Sequence, residues 1–267
     1  MFSISRFLKL SSFVLAGFLT ANAQAQSNAP DLSKVTLRVA YYKGLHKALF
    51  EAAKLDNTPY KIDWKEFNTG GQHIEAIRAG SIDLGSGSEI TGSFAAQENA
   101  SAVKVVATYK EDLNNQGLFV AKDSPITTIA DLKGKRVAYT RGTTSHYYLY
   151  KMLKEAGLSF NDIVEKPLAP SDGLSAFAKG EVDAWAVWGF NGQIARQQFG
   201  ARTLKTAVGY LSGNFQIFAS PAAFNDPAKS AAIADFLLRL QQAYAWSNKN
   251  YAEYAKVLSK ETRVKEA

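Results

Sequence analysis

Residues 129–158 read IADLKGKRVAYTRGTTSHYYLYKMLKEAGL, and the order of elements in this stretch decides the fold. DLKG at 131–134 is a turn. Residues 135–139 predict a short strand with Val137 and Tyr139 on one face. RGTTS at 141–145 is a loop of small residues. Residues 146–156 predict a helix, with Tyr147, Tyr150, Met152 and Leu153 as its apolar contacts and Gly157 as its stop. A strand therefore delivers a Gly/Thr/Ser loop onto a helix N-terminus. The free N–H groups of a first helical turn, with hydroxyls beside them, make an anion seat. Plain strand-to-helix capping is the other reading, and the local sequence leaves both open.

The same unit recurs on either side. Residues 35–41 (VTLRVAY) alternate as a strand, a YKGLH loop follows, and a helix runs over 47–55. Residues 60–67 predict a strand with Ile62 and Trp64 on one side, then NTGGQ at 68–72 and a helix over 73–79 ended by Gly80. A short strand at 81–84 leads to GSGS at 85–88, read as a third small loop, and to a helix over 89–97. Residues 104–109 and 117–121 predict strands. Beyond the opening stretch come a strand at 163–168, a helix over 173–178 with Asp172 as its cap, and a strand at 181–188. A helix to about Phe199, strands at 203–207 and 215–219, a turn at 221–226 and a long helix over 228–246 complete the order.

Strands alternating with helices twice over give two α/β units, each with a mostly parallel sheet. An internal echo supports duplication: IEAIRAGSID at 74–83 against AFAKGEVD at 176–183. In each, a helix ends at Gly, the chain turns back toward the sheet, and an Asp follows a β-branched residue. That aspartate is read as bonding turn amides or capping.

Composition bounds the function. The chain has 267 residues, 46% hydrophobic and 21% charged, enough for two domains. It contains no cysteine, which removes disulfides, thiolate catalysis and thiolate metal sites. Residues 1–25 carry Arg6 and Lys9, an apolar run at 10–19 and AQA at 23–25, the pattern of a secretory signal peptide cut after Ala25. Loss of Arg6 and Lys9 takes the formal charge from +7 to +5. That surface can steer a small anion but lacks the basic cluster that nucleic acid requires.

The histidines His46, His73 and His146 show no metal-ligand spacing. His73 is read as helix surface, and His46 and His146 as polar donors on a pocket wall. Ser86 and Ser88 do not form a nucleophile elbow, and they serve either as donors to an anion or as a packed turn. Trp185 and Trp188, three apart in a strand, face opposite sides; Trp188 is the one nearer a cleft.

Four stretches carry a resemblance: YYKG at 41–44; WKEF at 64–67 through Gly71 with Gly80-Ser-Ile-Asp83; KDSP at 122–125 through GTTSH at 142–146; and GEVDAW at 180–185 with Trp188. Together they resemble the periplasmic substrate-binding proteins of ABC importers for aliphatic sulfonates, a group similar to the taurine, nitrate and thiamine-precursor binding proteins. The resemblance implies an α/β fold of two lobes, the type II periplasmic binding protein fold. Residues 31–113 and 215–267 would form lobe I, short at its C-terminus, and 114–214 lobe II.

It implies a monomer without cofactor, metal or catalysis, which closes on an alkanesulfonate-like anion and hands it to a membrane permease. Taurine, nitrate or a pyrimidine are the alternative ligands, and an enzyme on the same fold the alternative class. The implied ligand-binding residues are Gly44, Leu45, Gly71, Gln72, Ser86, Ser88, Gly142, Thr143, Thr144, His146, Asp172 and Trp188. The chain departs from the family where SEITG at 88–92 lacks a proline and where Trp188 is followed by Gly-Phe-Asn.

Overall fold

A computed structural model describes residues 30–99 and 102–264. The expected signal peptide lies outside these residues. Among the described residues, no helix is long and apolar enough to cross a membrane.

Two five-stranded sheets form the frame, each flanked by helices. The first contains β1 (Thr36–Tyr41), β2 (Lys61–Glu66), β3 (Leu84–Ser88), β4 (Lys104–Lys110) and a strand from far along the chain, Asn214–Ala219. The second contains β5 (Gln116–Val120), β6 (Arg136–Tyr139), β7 (Val164–Pro167), β8 (Ala184–Trp188) and β9 (Arg202–Thr206); the strand at 214–219 is then β10. The orders β2-β1-β3-β10-β4 and β7-β6-β8-β5-β9 match place for place. In each sheet the fourth strand runs against its neighbours while β1, β2 and β3, or β6, β7 and β8, run parallel. The chain therefore crosses between sheets twice, after β4 and before β10. This is the two-lobed, mostly parallel α/β architecture expected from the sequence.

Six helices fall between strands, α1 (His46–Ala52), α2 (Gly70–Arg78), α3 (Glu89–Asn99), α4 (Thr144–Glu155), α5 (Pro170–Ala178) and α6 (Phe190–Phe199), and three follow β10, α7 (Pro221–Asn225), α8 (Pro227–Lys249) and α9 (Tyr251–Thr262). Each sheet buries apolar residues on both faces. Leu37, Val39, Leu84 and Ile217 pack with Phe50 and Phe236 on one face of the first; Ala40, Ile74, Ile82 and Phe218 meet on the other. Val137, Leu118 and Ala184 pack with Tyr148 and Met152 on one face of the second, and Phe119, Trp185 and Val187 with Phe177 on the other.

Three local expectations are corrected. GSGS at 85–88 is not a loop but most of β3, every residue buried. Glycine is used there for close approach: a methyl on Gly85 would come within 2.8 Å of His73 Cβ. Gly70 and Gly71 lie inside α2, because Thr69 caps it in a reciprocal box with Gln72. Residues 221–225 form a short helix, α7, started by Ser220 Oγ accepting from Ala223 N–H.

The echoed aspartates also do more than cap. Asp83 accepts from Arg38 N–H at 2.9 Å and from its guanidinium at 3.0 and 2.7 Å. Asp183 does the same with Arg136, at 2.7, 3.1 and 2.7 Å. Arg38 also donates to Gly80 O and Arg136 to Gly180 O, so each arginine ties the helix-ending turn to the neighbouring strand. Gly80 and Gly180 take φ of +68° and +70° there, the left-handed conformation that ends a helix at little cost for glycine.

Candidate functional site

Ligands of such sheets sit beyond the carboxyl ends of the parallel strands, where helix N-termini gather. Here α2, α3 and α4 start at those ends, but they differ in what their first turns have left to offer. In α2, Gln72 Oε1 accepts from Asn68 and Thr69 N–H while Thr69 Oγ1 accepts from Gln72 N–H, so the cap is closed on itself. At α3, Ser88 Oγ accepts from Thr91 N–H at 3.2 Å and lies 3.2 Å from Thr91 Oγ1. At α4, the N-cap Thr143 makes no side-chain cap bond; its hydroxyl donates back to Thr140 O at 2.7 Å. The first N–H groups of α4, at Thr144 and Ser145, thus retain the capacity to meet an anion.

The two lobes stand closed on one another. Ser88, Glu89 and Ile90 from the first sheet's side, Thr144 from the second, and Leu113, Leu211, Gly213, Asn214 and Phe215 on or beside the two crossing segments line a half-open space of about 10 Å³. That is room for about one water. The lining holds a carboxylate, Glu89, and no lysine or arginine. Glu89 accepts from Asn214 Nδ2 at 2.9 Å and from the Ser212 hydroxyl, which ties α3 to the second crossing. Nearby, Phe94 of α3 stacks on His146 of α4 with ring centroids 5.7 Å apart and planes 6° from parallel. A larger groove of about 390 Å³, around Tyr150, Lys154 and Phe160, contains none of the predicted site residues.

The predicted site residues divide. Ser88 and Thr144 line the half-open space, and Gly142 and Thr143 lead into it. His146 is half-buried between Phe94, Tyr139 and Phe160, and its Nδ1 accepts from Gly142 N–H at 3.3 Å. Burial, and then the Arg141 charge, hold it below the ordinary histidine range. A neutral ring that accepts at Nδ1 carries its proton on Nε2, and the ring also bridges α3 and α4 through Phe94. Gly44 packs against α9, where a methyl would meet Thr262 Cγ2 at 2.7 Å, and Leu45 is the N-cap of α1. Gly71 and Gln72 belong to the capped start of α2. Asp172 is exposed in the first turn of α5, whose N-cap is Ala169; the expectation that it caps the helix is corrected. Trp188, last in β8, is half-buried but packs on the same cluster as Trp185, although alternation along the strand would send it to the other face.

His73 and His46 correct a second expectation, since both are buried. His73 Nδ1 lies 3.0 Å from Ser86 N and 2.8 Å from Ser86 O, and burial pushes the imidazole down to about 3. Ser86 Oγ and His73 Nε2 are both buried without a partner. Tyr42 stacks on His73 at 4.5 Å and donates to Ser86 O at 2.8 Å. His46 Nε2 lies 3.2 Å from the Tyr244 hydroxyl, and burial holds it near 4. Among the described residues no cluster of three metal-ligating side chains occurs.

Sequence reasoning missed Tyr42, Thr91, Glu89 and the crossing residues 211–215. Tyr42 was visible beside Gly44, but only the fold shows that it, and not Gly44, reaches Ser86. The arginine partners had a sequence signal too: RVAY stands at both 38–41 and 136–139.

Comparison with known proteins adds an independent finding. The aliphatic sulfonates-binding protein of Escherichia coli (strain K12) is 39% identical over 214 residues, 78% of this chain and 66% of that relative. Its counterpart in Bacillus subtilis (strain 168) is 28% identical over 227 residues, 84% of this chain and 65% of the relative. The chain thus spans just under two thirds of the length of both. The structure of the alkanesulfonate-binding protein of Xanthomonas axonopodis pv. citri bound to MOPS superposes with a TM-score of 0.76 at 30% identity, over 86% of this chain and 80% of that one. The family described as NMT1/THI5 like matches residues 40–248, across both sheets, and the chain belongs to it.

Proposed function

We propose that this chain is a periplasmic solute-binding protein that captures an aliphatic sulfonate between its two lobes and passes it to an ABC permease. The observation that carries the reading is the 39% identity to a sulfonates-binding protein, which runs through both halves of the chain. The geometry agrees with it. A sulfonate stays ionised at neutral pH and presents three acceptor oxygens, which suit several neutral donors. The open first turn of α4, with Thr143, Thr144 and the facing Ser88, supplies such donors without a buried cation that would be left unpaired in an empty cleft. The half-buried Trp188 offers an apolar surface to a ligand's chain. The role needs no bond-making step, so none is assigned.

The space of about 10 Å³ between the lobes is smaller than a sulfonate, so this reading requires the lobes to part for entry, with the two crossing segments as the pivot. The test is thermal unfolding with alkanesulfonates, sulfate, nitrate, taurine and pyrimidines, followed by calorimetry. A ligand that binds only the folded form raises its midpoint. A shift with sulfonates and none with sulfate or nitrate supports the reading; a shift with nitrate or a pyrimidine alone replaces it.

A further inference from the structure

His146 joins the two lobes and, through the same ring, holds the loop that opens onto the space between them. Phe94, on α3 of the first lobe, lies parallel to the imidazole with centroids 5.7 Å apart. Within the second lobe, Tyr139 of β6 stacks on it at 5.1 Å and Phe160 meets it edge-on at 5.3 Å. The Gly142 N–H donates to its Nδ1 at 3.3 Å. Gly142 has a φ of +67°, and the chain passes from it through Thr143 to Thr144, which lines the space. The Gly142 bond therefore helps to set where the first N–H groups of α4 point.

The bond to Gly142 needs the neutral ring. Nδ1 accepts only while it carries no proton, and protonation would set two N–H groups head to head. Burial acts in the same direction. It is the largest cause holding His146 below the ordinary histidine range; the Arg141 charge adds to it and Glu165 opposes it. An aromatic face attracts a cation, but the Gly142 N–H and Arg141 oppose that attraction. When the lobes part, water replaces Phe94, and part of the burial cost of the charged form disappears.

The charged and titratable groups around the ring come from four elements. Arg141, in the loop, pairs with Glu165 of β7 at 3.6 Å, and the Tyr139 hydroxyl of β6 donates to the same carboxylate. Tyr139 is pushed up to about 12, first by burial. Asp162, beside Phe160, is engaged with Ser159, and Glu89, at the start of α3, with Ser212 and Asn214. The other two histidines stay neutral between about pH 5 and 8, since burial pushes His46 down to about 4 and His73 to about 3.

We propose that His146 is a positioning residue and a proton-sensitive latch: its neutral ring holds the Gly142–Thr144 loop and joins α3 to α4 in the closed form, and its protonation loosens both. The inference rests on the sulfonate reading for the identity of the ligand, but not for the contact between the lobes. The closed form lowers the proton affinity of His146 relative to the open form, so closing releases a proton. Binding is therefore tightest above the ordinary value of 6.5 and weakens as pH falls below it. A sulfonate keeps its charge throughout, so the slope belongs to the protein.

The experiment is calorimetry with propanesulfonate between about pH 5 and 8 on the wild type, His146→Asn, His146→Gln and Phe94→Leu, with a proton NMR titration of the histidine rings in the wild type and Phe94→Leu. Wild-type affinity is expected to fall at least about threefold from the upper to the lower pH. His146→Asn places a side-chain oxygen where Nδ1 accepts and carries no titrating proton. It should bind within about threefold of the wild type at the upper pH, with no slope. His146→Gln reaches toward the Nε2 position instead and should bind about tenfold more weakly. Phe94→Leu should flatten the slope and move the His146 midpoint up toward 6.5.

A wild-type affinity that does not change with pH overturns the latch and leaves the sulfonate reading standing. A slope that survives in His146→Asn also overturns it and assigns the slope to another group, such as Glu111, which burial pushes up to about 7. Binding that survives in His146→Gln and fails in His146→Asn makes His146 a ligand donor through Nε2 and overturns the positioning role. If propanesulfonate does not bind the wild type at any pH, the sulfonate reading falls and the NMR titration decides the latch alone: a raised midpoint in Phe94→Leu supports it, and equal midpoints overturn it.

Discussion

The two sheets hold the same helix-on-strand contact with the sizes exchanged. Helix Gly70–Arg78 corresponds to Pro170–Ala178, and strand Leu84–Ser88 to Ala184–Trp188. In the first sheet the helix contributes His73 and the strand contributes Gly85, with 2.8 Å between His73 Cβ and a methyl built on Gly85. In the second the strand contributes Trp185 and the helix Gly173, where a methyl would stand 2.5 Å from the indole Nε1. One place takes one bulky ring from either side. The consequence is chemical. The first sheet ends in small polar residues, Ser86 and Ser88, beside a histidine; the second ends in two tryptophans. A single repeated plan therefore buries a hydrogen-bonding pair, His73 and Ser86, in the first sheet and an indole in the second.

The largest test of this comparison is Trp185→Ala. It empties a fully buried indole site opposite a glycine that cannot fill it, and should cost about 3–5 kcal/mol in chemical denaturation. A loss below about 1 kcal/mol would mean that the second sheet does not depend on its ring as described.

Next in size is the pair of aspartates. Asp83 is only 1% exposed and also receives Lys229 Nζ from α8 at 2.8 Å, whereas the Asp183 side chain is 29% exposed and is held by Arg136. Asp83→Ala leaves two cations facing a buried gap and should cost about 3 kcal/mol. Asp183→Ala should cost about 1 kcal/mol, because water reaches its site. Equal losses from the two substitutions would show that the α8 lysine adds nothing to the first lobe.

Smaller effects come from the two glycines. Gly173→Ala drives a methyl into the buried indole of Trp185, and Gly85→Ala drives one against His73 Cβ, which the α2 backbone fixes; each should destabilise by about 2–3 kcal/mol. A loss below about 1 kcal/mol at either site in thermal unfolding would show that the contact there is looser than its counterpart.

The smallest effect is in acid. Hydrogen bonds from Arg136 hold Asp183 below the ordinary carboxylate range, against the opposing effect of burial. A depressed folded-state value means that its contribution is complete above pH 3.8 and is lost as pH falls through the folded value. The stability gap between wild type and Asp183→Asn, about 1 kcal/mol at pH 7, should narrow as pH falls below 3.8. A gap that persists there would assign it to packing and not to charge.

The regular elements were legible because their signals are local. The alternation of VTLRVAY and the Gly stops at 80, 157 and 180 reflect backbone sterics within a few residues, and the observed strands and helices follow them. GSGS was misread for an equally local reason. Glycine and serine are loop residues by propensity, and the advantage of glycine in β3 arises only once α2 lies against it. His73 was read as surface because its helix pattern alone does not reveal that Phe67 and Tyr42 cover it. Of the binding residues implied by the resemblance, Gly44 and Gln72 are taken up by α9 packing and by capping, which no local pattern reveals.

What the sequence determined alone is the sequence of elements, their duplication and the two α/β units, since each follows from short-range periodicity and turn chemistry. What only the tertiary structure decided is which polar groups meet. Arg38 reaches Asp83 across neighbouring strands, Lys229 reaches the same carboxylate from α8, and His46 of α1 meets the Tyr244 hydroxyl. These partners are distant along the chain, and no local pattern selects them. Sheet register and the two crossings bring them together, and the low-dielectric interior makes each pairing energetically decisive.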